Sequence, residues 1–376
     1  MAEPFKNFIH PGLVRTTAKH LHRAWRLFDR KTFEKQALEG LESLELKARA
    51  MQLTAALEAT LPQDFALAAD VMEAALAPAL ADDELSTVNA ADTGLAGWAL
   101  WPATEYVARH GQADPRRALA ALHAMTQRFT AEWAIRPYLL NHPQLSFATL
   151  ARWAGDPSAH VRRLVSEGSR PRLPWGMQLK PLIADPSPTL PLLQALQDDA
   201  SAYVRRSVAN HLNDIAKDHP ALIAGWLARH LPDAGPERRA LLKHASRSLI
   251  KRGDPQVLAH WGAGASLRGD ATLAIEPRRV TLGSGITLRI TLTSRARRPQ
   301  TLLVDYAVHH VKADGGQTPK VFKGWNVELM AGEERVMVKR HPLNPITTRR
   351  YYPGRHRIEL LINGRAVAEA AFELSL

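Results

Sequence analysis

The chain has 376 residues, 45% of them apolar, with 49 Lys and Arg against 37 Asp and Glu, a formal net charge of +12. Two folded domains, or one repeat array with an appendage, are within reach of that length. The absence of cysteine excludes disulfides, thiolate-ligated metal or iron–sulfur sites and thiol redox chemistry, and the basic excess favours a polyanionic partner, nucleic acid first.

Residues 1–11 lack an apolar core of signal-peptide length, and no 18 apolar residues run free of charge, which reads as a soluble cytoplasmic protein. From Thr32 to about His260 apolar residues recur at helical spacing, as in Phe33, Ala37, Leu38, Leu41 and Leu44. Further helices are expected over 65–80, 93–109, 115–129, 131–140, 143–153, 158–167, 188–198, 201–217, 219–230, 236–251 and 255–260. Short turns marked by Pro, Gly or Asp separate them, which is the pattern of an α-solenoid.

Within that array Asp156-Pro-Ser-Ala-His-Val-Arg-Arg-Leu-Val-Ser-Glu-Gly168 recurs 43 residues later as Asp199-Ala-Ser-Ala-Tyr-Val-Arg-Arg-Ser-Val-Ala-Asn-His211. A weaker echo, Glu237-Arg-Arg-Ala-Leu-Leu-Lys-His244, puts Lys243 where the others have Glu167 and Asn210. The irregular period suits HEAT-like units. One long interruption, Gly168 to Pro188, is rich in Pro and basic residues and is expected to line a site.

Near Gly262-Ala-Gly264 the period changes from 3.6 to 2. Seven strands are expected, within 272–275, 286–292, 300–309, 321–325, 335–339, 356–362 and 366–374, with turns at Gly283-Ser-Gly285, Asp314-Gly-Gly316, Ala331-Gly332 and Asn363-Gly364. They predict an immunoglobulin-like β-sandwich without its disulfide. The expected division is an all-α HEAT-like repeat domain over 1–262 followed by an all-β sandwich over 268–376.

On the first repeat helix Val161, Leu164, Val165 and Gly168 fall on one side, with Arg163 and Glu167 four apart on another. On the second, Val204, Val208, Leu212 and Ile215 pack, while Arg206, Asn210 and Asn213 or Asp214 share the exposed side. Arg162, Arg163, Arg170, Arg172, Arg205 and Arg206 would then suit phosphate oxygens. Plainer readings are open: Arg163 and Glu167 as a surface ion pair, Glu132 as a solvated acid, and Trp175 as a loop anchor in a core crevice. An acid in a wall of arginines opposes a phosphate partner, and is easier to understand if the ligand develops positive charge. An N-alkylated base in DNA does, and cleaving its N-glycosidic bond gives an oxocarbenium-like sugar that a carboxylate can stabilise and an indole face can attract.

The segments Ala131-Glu-Trp-Ala-Ile-Arg-Pro137, Val161 to Trp175 with its string Ser-Glu-Gly-Ser-Arg-Pro-Arg-Leu-Pro-Trp175, and Val204 to Lys217 resemble the AlkC-type DNA glycosylases of the HEAT-like DNA alkylation repair superfamily. The resemblance runs through nearly all of the helical region. It implies release of 3-methyladenine and 3-methylcytosine from double-stranded DNA, without metal or cofactor and without swinging the damaged base into a closed pocket. It carries over Glu167 and Glu132 as the catalytic acids, with Trp175, Arg163 and Arg170 around the damaged nucleotide; Trp175 would serve as the aromatic wall, and Asp214, which helix phase places close to Asn210, is a weaker candidate for ordering the network. A cationic base leaves with little protonation, so a strong general acid is dispensable. The expected protein is a monomer in the bacterial cytoplasm, nucleoid-associated when engaged on DNA, whose sandwich resembles a second DNA clamp.

In that sandwich Arg295, Arg297 and Arg298 follow one expected strand, and Lys339, Arg340, His341, Arg349 and Arg350 occupy another edge; Arg298 and Lys339 are the leading candidates for phosphate contacts. No His-Glu-x-x-His or Walker-type string is present, so metal and nucleotide hydrolases are poor alternatives. A solenoid that binds lesions without cleaving them, and a scaffold for an acidic protein, are the competing readings.

Overall fold

The computed structural model describes residues 4–79, 93–346 and 349–376. The helical region runs through Pro11–Ala24, Arg30–Leu38, Leu46–Thr60 and Phe65–Ala74 (α1–α4), then Leu100–His110, Pro115–Thr126, Arg136–Asn141 and Pro143–Trp153 (α5–α8). Ala159–Gly168, Lys180–Ala184, Leu190–Leu196 and Ala202–Ile215 follow (α9–α12), and Pro220–His230, Pro236–Ala245, Arg247–Arg252 and Pro255–His260 close it (α13–α16). Proline opens α1, α6, α8, α13, α14 and α16, where its missing N–H and fixed φ are tolerated. The Asp114 carboxylate caps α6 and the Ser201 hydroxyl caps α12. No described helix is long and apolar enough to cross a membrane.

Several expected boundaries shift. The helix expected over 65–80 ends at Ala74, and residue 80 lies outside the described residues. The expected 131–140 helix starts only at Arg136, leaving Glu132 on a turn. The stretch 236–251 is two helices broken at Ser246, whose hydroxyl accepts the Trp261 indole N–H at 3.2 Å. Helix α1 precedes the region in which helical spacing was expected to begin, and α10 lies inside the expected interruption 168–188.

The chain divides into two compact units. One holds the described residues up to Asp218 together with Gly235–Ala245; the other holds His219–Ala234 and Ser246–Leu376. In the first, α9 packs against α6, α8, α11 and α12, and α12 against α14. The repeated sequence explains the α9–α12 pair. The Oδ1 of Asp156 accepts the Ser158 N–H at 2.8 Å, and that of Asp199 accepts the Ser201 N–H at 2.9 Å, so each helix starts from the same turn. Val161, Leu164, Val165 and Val204, Val208, Leu212 are all buried, as their spacing predicts.

Among the described residues, the second unit contains α13, α15 and α16 and eight strands, one more than expected: Gly269–Glu276, Arg279–Thr281, Gly285–Ser294, Gln300–Val311, Gln317–Leu329, Glu334–Pro342, Gly354–Ile362 and Arg365–Ser375 (β1–β8). The added β2 is three residues long, too short for an alternating pattern, and pairs parallel with β8. One sheet has the order β1-β3-β6, the other β2-β8-β7-β4-β5. Alternation on β3 buries Ile286, Leu288, Ile290 and Leu292. Gly253 and Gly364 approach so closely that a Cβ on Gly253 would lie 2.3 Å from the Gly364 Cα, which fixes the end of α15 on the β7–β8 turn.

Candidate active site

The site begins where α9 ends. Gly168 lets that end approach the turn before α7, since a Cβ there would lie 2.5 Å from Ile135 Cγ2. The approach brings Glu132, on the turn, to Arg163 and Glu167 on α9. Arg163 Nη1 donates to Glu132 Oε2 at 2.6 Å and to Thr130 Oγ1 at 2.9 Å, while its Nη2 lies 3.7 Å from Glu167 Oε1. Arg170 continues the row, donating from Nη1 to Glu167 Oε1 at 2.6 Å and from Nε to Asp214 Oδ2 at 2.8 Å. Lys217 closes it on Asp214 Oδ1 at 2.9 Å. Acid and base thus alternate: Glu132, Arg163, Glu167, Arg170, Asp214, Lys217.

The three acids of this row are held away from water, while Lys217 reaches solvent at its end. Glu132 is 7% exposed, Glu167 5% and Asp214 2%. The solvated-acid reading of Glu132 and the surface-pair reading of Arg163 and Glu167 are therefore corrected, and Arg163 is closer to Glu132 than to Glu167. Asn213 and Asp214, expected on an exposed side, are also buried: helix phase gives direction, and neighbouring segments cover that direction. Burial alone would push the Glu167 carboxyl up, but the Arg163 and Arg170 guanidiniums, helped by the Ser207 hydroxyl, hold it below the usual carboxylate range. Burial would depress Arg163, but Glu132, Tyr203 and Glu167 together outweigh it and hold the guanidinium above its ordinary value.

Four further residues shape the site without having stood out in the sequence. Ser207 donates to Glu167 Oε2 at 2.6 Å, and Thr130 to Glu132 Oε2 at 2.7 Å. The Tyr203 ring lies under the Arg163 guanidinium, 5.1 Å from its centroid, and burial pushes its phenol up to about 12. Arg136 is fully buried and donates to the Gly168 carbonyl at 2.8 Å and the Met177 carbonyl at 2.7 Å. Burial, with Arg170 nearby, lowers its guanidinium to about 10. Only Ser207 left a trace in the sequence, as a hydroxyl in an otherwise apolar stripe.

The loop after α9 presents Trp175. Its backbone is in the left-handed region at φ +62°, and its side chain is 64% exposed, which rules out the core-anchor reading. The loop itself is tied down: the Trp133 indole N–H donates to the Pro174 carbonyl at 3.2 Å, and Trp133 stacks on Trp101 with ring centroids 4.8 Å apart. Residues flanking Glu132 thus hold the segment that carries Trp175.

The paired arginines of each repeat differ in use. Arg162 Nη1 donates to the carbonyls of Asp156 and Pro157 at 2.8 and 2.9 Å, and its Nε and Nη2 form a fork on Asp199 at 2.6 and 3.0 Å. Arg205 repeats the turn contact, on the carbonyls of Asp199 and Ala200. Arg206 is exposed and lines a groove between α12 and α14 with His244, whose Nε2 is 3.0 Å from Asn210 Oδ1. Arg172 forms a fork on Asp218, both bonds 2.9 Å. In the sandwich unit Arg298 is exposed, whereas the Lys339 ammonium lies 5.3 Å from the Trp325 ring centroid and donates to the Lys323 carbonyl at 2.5 Å. Among the described residues no three His, Asp or Glu side chains converge as a metal site would require.

Comparison with known proteins places this arrangement. Residues 270–376 match the family model described as the C-terminal Ig-like domain of the uncharacterised protein YhaZ. The uncharacterized protein YhaZ of Bacillus subtilis (strain 168) is 34% identical over 375 residues, covering 98% of this chain and 99% of that protein. The alkylpurine DNA glycosylase AlkC of Pseudomonas fluorescens, solved bound to DNA containing an abasic site analog, is 36% identical, with each chain covered in full and a TM-score of 0.89. The chain belongs to the AlkC family. The helical repeats and the immunoglobulin-like domain both fall within the full-length match to that AlkC structure, and the segments whose resemblance suggested the family are those that build the acid–base row.

Proposed function

We propose that this chain is a DNA glycosylase that hydrolyses the N-glycosidic bond of cationic alkylated bases, 3-methyladenine and 3-methylcytosine, in duplex DNA. The observation that carries the reading is the pair Glu132 and Glu167, held on either side of Arg163 beside a loop that presents Trp175 to solvent. AlkC, bound to DNA with an abasic site analog, supports DNA as the partner.

The chemistry follows from the state of the acids. Glu167 is held ionised below the usual carboxylate range, so it is suited to stabilise a positive charge and unsuited to donate a proton at neutral pH. A base already carrying a charge needs no such donor. As the glycosidic bond breaks, electron density leaves with the base and the sugar becomes oxocarbenium-like; a fixed carboxylate beside it stabilises that state without reorganising. Glu167 takes this role, Glu132 supports the cation or orients the attacking water, and Trp175 forms the aromatic wall. Arg163 and Arg170 order the carboxylates around the damaged nucleotide, and Asp214 holds Arg170. A row whose acids are already hydrogen-bonded in place suits a base attacked where it lies rather than one carried into a closed pocket.

Residues 1–262 act as the glycosylase domain, with Arg206, Asn210 and Arg172 toward the backbone, and 268–376 contact DNA through Arg298 and Lys339. Neither cofactor nor second protomer enters this scheme, and a cytoplasmic site suits its substrate. Replacing Glu167 with Gln tests it: release of methylated bases from treated duplex should fall at least ~100-fold while affinity for abasic-analog duplex changes little. Full release by that variant would remove Glu167 from the reaction, whereas wild-type protein that binds the duplex and releases no base would favour a solenoid that only binds lesions.

A further inference from the structure

The two repeat copies align Val161–Glu167 with Val204–Asn210, and in that alignment Ser207 stands where the first copy has Leu164. Leu164 is a core residue of its stripe, and Ser207, at the same helical phase, is equally buried. A buried hydroxyl is costly unless it is bonded. Here it donates to Glu167 Oε2 at 2.6 Å, while Arg170 takes Oε1 at 2.6 Å. Glu132 also draws on one hydroxyl and one guanidinium, but there Thr130 and Arg163 both donate to the same oxygen, Oε2. Each acid therefore has one hydroxyl and one guanidinium, and for Glu167 the hydroxyl comes from the next repeat.

We propose that Ser207 is a positioning residue for Glu167: its hydroxyl stops the carboxylate from swivelling about the Arg170 bond and leaves a second lone pair on each oxygen for the reacting sugar. This rests on the glycosylase reading above. Arg170 alone would hold one oxygen and let the other drift, so the carboxylate would meet the sugar cation only part of the time. The groups around Glu167 are Arg163 and Arg170 from its own segment, Glu132 and Arg136 from before α8, and Tyr203, Ser207, His211 and Asp214 from α12. His211 is held neutral, lowered to about 4 by burial, so it does not supply charge in place of the lost hydroxyl.

The test uses the full chain with Ser207→Ala and Ser207→Thr, reading two quantities. The first is the titration of Glu167 by carbon-13 NMR of glutamate-labelled protein without DNA, assigned with Glu167→Gln. The second is the pH profile of methylated-base release. Ser207→Ala should raise the Glu167 midpoint and the acid limb of the profile by about one pH unit and slow release about tenfold, and Ser207→Thr should restore both. An unmoved midpoint in Ser207→Ala, or a Thr variant no better than the Ala variant, overturns the proposal. Wild-type protein that releases no methylated base would instead sink the glycosylase reading, and the NMR titration would still decide whether Ser207 holds Glu167.

Discussion

Arg163 and Glu132 are 31 residues apart in the chain and 2.6 Å apart in space, and their bond joins the α9 helix to the turn before α7. The same guanidinium faces Glu167 at 3.7 Å and rests on the Tyr203 ring, so one cation organises both acids. Arg163→Met should leave Glu132 buried with only the Thr130 hydroxyl and destabilise the helical unit by about 3 kcal/mol. Arg163→Lys should keep the charge and most of the stability, yet lose base release, because a point charge cannot serve Thr130, Glu132 and Glu167 in fixed geometry. Urea denaturation and a release assay on the same preparations separate the two effects; equal activity in the Lys variant would show that charge alone is sufficient.

Gly168 sets how closely those elements meet. Its replacement by Ala places a methyl 2.5 Å from Ile135 Cγ2, with Leu164 Cδ1 at 3.3 Å on the other side. The end of α9 must shift, at a cost of about 1–3 kcal/mol. The displacement also draws Arg163 away from Glu132. We expect a lowered melting temperature together with slower release, and a variant that melts like wild type would mean the packing yields without moving the acids.

The segment that carries Trp175 offers a cleaner separation of position from stability. Trp133→Phe keeps an aromatic ring to stack on Trp101 but loses the N–H that holds the Pro174 carbonyl. Base release should fall roughly 10–100-fold through misplacement of the aromatic wall, with the melting temperature nearly unchanged. Limited proteolysis within 171–179 should become faster. Wild-type release by this variant would show that Trp175 needs no such tether.

Much of this was legible in the sequence, and the remainder has identifiable causes. The apolar stripe of Val161, Leu164 and Val165 and its repeat at Val204, Val208 and Leu212 follow from helical period alone, and the strand alternation of Ile286 to Leu292 from a period of 2. The family was carried by a contiguous string ending in Trp175. Asp214 was misplaced because a helix wheel shows direction and says nothing of what covers it. The adjacent Arg162 and Arg163 have the same composition and opposite uses, since only the first can fold back onto the carbonyls of its own turn. Thr130 and Arg136 act across long separations in sequence, and β2 is too short to show a period.

The sandwich unit should lose stability in mild acid. Burial holds His341 down to about 4 and His310 to about 3, the latter helped by the neighbouring Arg349 charge, and His356 is also lowered. An unfolded histidine titrates near 6.5, so below that pH the unfolded chain binds more protons than the folded one. The stability these residues contribute is complete above about pH 6.5 and is lost progressively as pH falls through about 4 for His341 and about 3 for His310. Amide exchange of β4 and β7, compared at pH 7 and pH 5 after correction for intrinsic rates, should show faster opening at the lower pH. Equal protection at both would mean that these rings are protonated without cost.

The two leading basic residues of the sandwich should behave differently in DNA binding. Arg298 is exposed on the loop between β3 and β4, and a phosphate can take its guanidinium without breaking an internal bond. Lys339 is engaged by the Lys323 carbonyl and lies over the Trp325 and Tyr306 rings, so reaching a phosphate means giving up contacts it already has. Arg298→Ala should therefore reduce the slope of log affinity against log salt by about 0.9, the value for one phosphate contact on duplex DNA. Lys339→Ala should change that slope less and lower the stability of the sandwich instead, because the ammonium contributes to packing of the aromatic rings beneath it. Binding of abasic-analog duplex measured between 50 and 200 mM salt, the range over which such contacts are felt, decides between them; a larger slope change for Lys339 than for Arg298 would reverse the assignment.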